Sequence, residues 1–185
     1  MKAHYSEETI TYSGEQLQSH FAYRQYGILG DSIIGFRGPC DVNFDQMVDI
    51  EDKRSGSRIY SQDMLHFIIE HHDTDLEKAV LRQWLMANIV KDMINTIKAE
   101  DLIVRKGSDL YDKDAKISIS VATVTPLSTM IHFGVNIVSD NTPVKTMGLV
   151  DYHIEPVAFA DKVMSEYVNE NKAMQRARNK VNWVR

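Results

Sequence analysis

An α+β fold, with a central mixed but largely antiparallel sheet flanked by helices, is what this sequence predicts, and three observations predict it. A long amphipathic helix occupies the middle of the chain, short apolar runs bounded by turn residues lie before and after it, and a second helical stretch closes the chain. With 185 residues, 43% of them hydrophobic, the chain has the size of one domain and enough apolar side chains to line a core. We therefore expect one domain over residues 1–185.

The first run, Ile33-Ile34-Gly35-Phe36, lies between Gly30-Asp31 and Arg37-Gly38-Pro39 and reads as a buried strand between turns. A polar stretch from Asp49 to Arg58 reads as a loop in which Gly56, between two serines, lets the backbone approach another group. Ile59-Tyr60 and Met64 to Ile69 form the next strand. The surest element is the helix from Leu76 to Ala99. Thr74 and Glu77 have the spacing of a capping box, and Leu76, Val80, Trp84, Ala87, Val90, Ile94 and Ile97 recur every three or four residues. Beyond it, Leu102-Ile103-Val104, Leu110-Tyr111, Ile117 to Val124 and Met130 to Val138 are strand-like, with Asp112 to Ala115 as a hairpin turn. In Lys116 to Val124 apolar residues alternate with small polar ones, as a strand with one buried face requires. The last helix spans about 158–182.

A formal charge of −5 gives no general reason to expect nucleic-acid binding. The segment from Asp161 to Arg185 holds six basic and three acidic residues, and reads as a solvated helix face or a contact for an acidic partner. Cys40 is the only cysteine, which excludes an intrachain disulfide. No signal-peptide-like or membrane-spanning apolar run occurs, so a cytoplasmic location and no membrane partner are expected.

Three short segments carry a resemblance. Ser108-Asp109, then Lys116-Ile117-Ser118, then Gly134-Val135-Asn136 are similar in order and spacing to motifs of the catalytic domain of biotin protein ligases, lipoate-protein ligases and lipoyl (octanoyl) transferases. Arg54-Ser55-Gly56-Ser57-Arg58-Ile59-Tyr60 resembles that family's glycine-rich loop, and the long helix follows it as in the family. The likeness covers about residues 33 to 138. Gly35 to Val42 resembles, in addition, an uncharacterised, mainly archaeal family of unknown function. The first resemblance implies a fold like that of class II aminoacyl-tRNA synthetases and a reactive lysine at Lys116. It also implies a small carboxylate (lipoyl, octanoyl or biotin-like) or acyl carrier as partner, with ATP or an acyl thioester as co-substrate. Ile119 stands where the family has glycine, the loop carries one glycine instead of two or three, and Ser61 replaces a frequent histidine. The thinned loop weighs slightly toward thioester-using transfer over ATP-driven ligation, while Ile119 and the missing glycines speak for a non-catalytic member of the fold.

A fixed cation stabilises negative charge developing on phosphate or on an attacked carbonyl, most strongly where water is excluded. Lys116 enters an apolar strand, where a cation requires a partner, and Asp109 across the hairpin is the candidate. His132, next to Phe133-Gly134, is either an acid/base group or a satisfied core histidine. Arg54 and Arg58 either hold anion oxygens or are solvated, while Ser55, Gly56 and Ser57 would offer backbone amides to an anion. Gly134 and Asn136 complete the ligand-binding set, Asn136 serving ligand or strand-end backbone equally. Cys40 reads as a packed thiol before it reads as a nucleophile. His66, His71 and His72, with Glu70 and Asp73, lack zinc-motif spacing, so no metal site is expected. Tyr60 and Trp84 read as core aromatics. The reading is an acyltransferase or ligase-like protein centred on Lys116, the alternative a non-catalytic protein of the same fold that binds or senses a small ligand. A homodimer is compatible with the sequence, which sets no number of chains.

Overall fold

The computed structural model describes residues 1–56, 59–138 and 144–184. In chain order the elements are β1 (Lys2–Thr9), α1 (Phe21–Tyr26), β2 (Ser32–Val42), α2 (Ile50–Ser55), β3 (Ile59–His71), α3 (Leu76–Lys98), β4 (Ile103–Lys106), β5 (Asp109–Asp112), β6 (Ala115–Lys116), β7 (Ser118–Val124), β8 (Thr129–Asn136) and α4 (Pro156–Asn179). Five strands make one sheet in the order β1-β2-β3-β8-β7, and β4-β5-β6 make a second, smaller one. Only β1 and β2 run parallel within the larger sheet, which is therefore mixed and largely antiparallel as expected.

Side chains of the central strands sort by the two-residue period of a strand. Leu65, Phe67 and Ile69 of β3, with Ile131, Phe133 and Val135 of β8, face α3 and α4 and pack on Met86, Val90, Ile94, Phe159, Val163 and Tyr167. Met64 and Ile68 of β3, with Met130 of β8 and Ile34 and Phe36 of β2, point the other way. That face is covered by no long helix but by the segment around Tyr12, Phe21 and Ala22. The thin cover leaves space for a cavity.

Several local readings change. Asp75, not Thr74, caps α3, its carboxylate accepting the Lys78 amide. Gly38-Pro39 does not end β2; the strand shifts register between Gly38 and Cys40 and continues, a place where proline is tolerated. The stretch from Asp49 is helical, because Asp49 accepts the amides of Glu51 and Asp52 and Gly56 closes α2 with φ 65°. Trp84 is exposed on α3, with the Arg105 guanidinium 5.1 Å from its ring centroid. On β7 only Ser118 is buried, and Ile119, Ser120 and Val121 are all half-buried, with the serines toward α3. Ser118 Oγ accepts the Leu110 amide, and Ser120 Oγ accepts from Gln83 of α3, so these hydroxyls are satisfied against the helix side.

Beside the Arg105 bond to Asn88, one amide of α3 clamps the small sheet. Asn95 Oδ1 accepts the Ile103 N–H at 2.8 Å and Asn95 Nδ2 donates to the Ile103 carbonyl at 3.1 Å. Asn95→Ala removes both bonds and is expected to destabilise by about 2 kcal/mol. Chemical unfolding at neutral pH would measure it, and a loss under about 0.5 kcal/mol would mean that the clamp carries no weight.

Candidate functional site

Lys116 is brought to its place by three neighbours. The β5–β6 hairpin turns at Lys113, which takes a left-handed φ of 54°, and sets Tyr111 opposite Lys116. Asp109 lies two residues from Tyr111 on the same face, diagonal to Lys116 and within reach of a long side chain. The Lys116 ammonium is 2.8 Å from Asp109 Oδ2, with about a quarter of each side chain exposed. From the other side, the Lys116 amide donates to the Lys145 carbonyl at 2.9 Å and the Lys116 carbonyl accepts the Met147 amide at 3.2 Å. Asn136 Nδ2 donates to the carbonyls of Lys116 and Met147, both at 3.4 Å, while its Oδ1 accepts from Ser61. Its amide is thus committed to backbone and braces the lysine.

Lys116 lines a cavity of about 590 Å³, inside the range of small-molecule sites. Ile59, Met64, Ile119 and Val121 supply apolar wall. The charged residues among its lining are Lys116 and Lys145 against Asp49, Asp52, Asp109 and Asp114. Burial, then the charge of Asp49, raises the Asp52 carboxyl above its ordinary value, while Lys116 pulls it down. Lys145 pairs with Asp114 at 2.8 Å across exposed surface.

At the other end lie two buried histidines. The Tyr12 ring stacks on His132 with centroids 3.5 Å apart and planes at 12°. Burial lowers His66 to about 4 and His132 well below its ordinary value, so both rings are neutral. The tautomers follow from one fixed acceptor. His66 Nε2 lies 3.1 Å from the Gly38 carbonyl and must donate to it, so its Nδ1 accepts the Nε2–H of His132 at 3.0 Å. His132 keeps its Nδ1 lone pair, for which no partner occurs among the described residues. Val121, not Lys116, pairs with His132 across β7 and β8. Lys116 and Val121 are five positions apart along the chain, roughly 16 Å at the rise of a strand.

The structure therefore brings Lys116, Asp109 and Asn136 together and sets His132 at the far end of the same cavity. Arg54, Ser55 and Gly56 are exposed on α2 and its cap and are not among the lining residues; that surface instead contributes Asp49 and Asp52. Ser57 and Arg58 lie outside the described residues. Gly134 faces Ile119 across the strands, and a Cβ there would meet Met64 at 2.9 Å and Ile119 at 3.2 Å. Ile119 occupies that room and leaves the cavity open. Cys40 is fully buried, its thiol pushed up to about 12, which makes it unreactive. Tyr60 is half-buried at the cavity wall. Missed from sequence were Tyr12, His66, Asp49, Asp52 and Lys145. Only Asp49, a capping residue followed by acidic residues, carried a readable local signal.

This architecture is the fold of the biotin and lipoate protein ligase catalytic domains. The biotin protein ligase from Aquifex aeolicus, in complex with biotin and ATP, superposes over 92% of this chain and 70% of its own with a TM-score of 0.64 at 12% identity, and lipoate protein ligases are further neighbours. The chain itself belongs to the family described as a domain of unknown function, DUF366, which it matches over residues 1–182. Two relatives are much nearer than the ligases. A protein of unknown function from Pyrococcus horikoshi has a TM-score of 0.93 at 36% identity, covering 100% of this chain and 99% of its own. The uncharacterized protein MJ0805 of Methanocaldococcus jannaschii is 34% identical over 86% of this chain and 73% of its own length. Among the described residues no helix is long and apolar enough to cross a membrane.

Proposed function

We propose that the cavity takes a small carboxylic acyl group, of the lipoyl, octanoyl or biotin-like kind, and that the protein transfers it between carriers. The observation that supports this best is the Lys116 ammonium at one end of a deep, partly apolar cavity, held by Asp109 and by a braced backbone. The acyl chain would run along Ile119 and Val121 toward Tyr12, with its carbonyl beside Lys116. An acceptor nucleophile would add to the thioester carbonyl, and the lysine would stabilise the oxyanion until the thiolate leaves. Asp109 would keep the ammonium in place. The charges of the described lining do not suit a triphosphate, because four carboxylates face two lysines. That balance favours a thioester donor over ATP, and no step is drawn through ATP.

A second reading has its own support. Lys116 is already paired with Asp109, so an incoming carboxylate must compete, as in a protein that binds and senses without turnover.

Thermal unfolding with octanoyl and lipoyl thioesters, free octanoate, lipoate, biotin and ATP tests both. A ligand at a hundredfold excess over its Kd should raise Tm by about 5–10 °C. Lys116→Gln should weaken that ligand at least tenfold and abolish thioester consumption. Binding without consumption favours the sensing reading, and no shift with any ligand removes both.

A further inference from the structure

We propose that His20, Glu70 and His72 bind a divalent cation of borderline softness, Zn²⁺ being the best match, with Asp31 orienting His72 and one coordination position left to water. Donor atoms of these three residues lie within 4.8 Å of one another. Bonds of about 2.0–2.1 Å place tetrahedral zinc ligands roughly 3.4 Å apart, so a modest closure completes the set. His20, only partly buried, and His72, at the surface, have room to move.

The surroundings are built for it. Glu70 is 2% exposed, and its two hydrogen bonds, from the His20 amide and the Ser128 hydroxyl, both at 2.7 Å, fall on Oε1. Among the described residues Oε2 accepts none. His72 Nδ1 lies 3.4 Å from Asp31 Oδ1, and its Nε2 lies 3.9 Å from Glu70 Oε1. With Nδ1 turned to Asp31, the ring presents Nε2 to the Glu70 carboxylate across a gap that a cation would fill. A carboxylate behind the distal histidine nitrogen is also the usual support of a metal-bound imidazole. Asp31 is itself held by the His72 amide at 2.9 Å and by His71 at 3.3 Å. His20 takes a left-handed φ of 64°, rare for a residue with a side chain, and its ring centroid is 5.5 Å from that of His72.

Along β3, Glu70 is nine residues from Ser61 at the Lys116 end of the cavity, roughly 30 Å, and two residues from Ile68, the partner of His132 at the other end. The cation would sit beyond that other end, away from Lys116. It would fasten the start of α1, and with it the covering segment that carries Tyr12, to the end of β3.

Titrating the metal-free protein with Co²⁺, followed by the visible absorption of a low-coordinate site, tests the proposal directly. One Co²⁺ per chain, displaced by Zn²⁺ and accompanied by a rise in Tm, is expected. His72→Ala and His20→Gly, the latter suited to the left-handed backbone, should each weaken binding roughly hundredfold or more, and Asp31→Ala by about 10–100-fold. His153→Ala should leave it unchanged. Absence of saturable binding overturns the proposal, and so does binding that survives both His72→Ala and His20→Gly or is lost in His153→Ala.

Discussion

Between pH 7 and pH 4 the protein is expected to lose roughly 3 kcal/mol of folding stability through His66 alone, because burial holds the ring at about 4 in the fold. The direction follows from proton uptake. In the unfolded chain His66 titrates near 6.5, while in the fold burial holds it at about 4. Above pH 6.5 neither state binds the proton and the contribution is fully present. As pH falls below 6.5 the unfolded state takes up a proton that the folded state refuses, and stability declines until about pH 4. His132 and His71 are lowered in the same direction, also first by burial, and steepen the decline. Asp31, held below the ordinary carboxylate range chiefly by its bond from His71, acts only at lower pH and so separates from the histidines. Unfolding midpoints in denaturant across this range would measure the slope. Replacing the pair together, His66→Leu with His132→Met, should flatten it. A wild-type profile that is level from pH 7 to pH 5 would mean that these rings are not buried in the neutral form. His66→Ala alone should be severe, about 3–5 kcal/mol, because it opens a cavity and strands both the Gly38 carbonyl and the His132 N–H.

Gly38→Ala should lower Tm by roughly 10 °C, corresponding to about 3 kcal/mol or more. A Cβ at Gly38 would stand 2.1 Å from the Ile10 carbonyl oxygen and 2.7 Å from its carbon. Both are backbone atoms, so no rotamer change relieves the overlap and the two segments must separate. That separation reaches further than the contact itself. Ile10 and Tyr12 donate amides to Arg37 and Pro39, and the Gly38 carbonyl is the acceptor that sets the histidine tautomers. Moving this segment would lift Tyr12 from His132 and disturb the cavity. Gly27→Ala is the control. It also has a positive φ, 67°, but nothing lies within 4 Å, so only the backbone term of about 1 kcal/mol applies. Equal losses in the two variants would show that the close approach is not what requires glycine.

The parts of the fold that were legible in sequence are those where burial and periodicity coincide. α3, β3 and β8 have many fully buried side chains at helical or alternating spacing, and were placed within a few residues. β1 was not read, because it is an edge strand in which only Ser6 is buried. An element that buries so little leaves little pattern. The faces of β7 were misread for a related reason: Ser118 and Ser120 look solvent-facing until Leu110 and Gln83 arrive from elsewhere to satisfy them. At the site, Lys116, Asp109 and Asn136 were named through the resemblance of their short segments to the ligase motifs, which lie within thirty residues on a hairpin and its neighbouring strand. Tyr12 was not, since it reaches the cavity through long-range packing that no local spacing encodes; His66 meets it only through its bond to His132, and of the Asp49–Asp52 surface only the cap at Asp49 left a local mark. His20 is the extreme case, meeting Glu70 from fifty residues upstream.

Ile119 and Gly134 show how the bore of such a cavity is set. The two face each other on β7 and β8, and the volume missing from one is supplied by the other. A Cβ at 134 would meet Ile119 at 3.2 Å, so the bulk at 119 is seated only because 134 carries no side chain. The two sites form a single steric unit, in which restoring glycine at 119 would widen the bore while 134 stays bare, and enlarging 134 would be tolerated only after 119 shrinks.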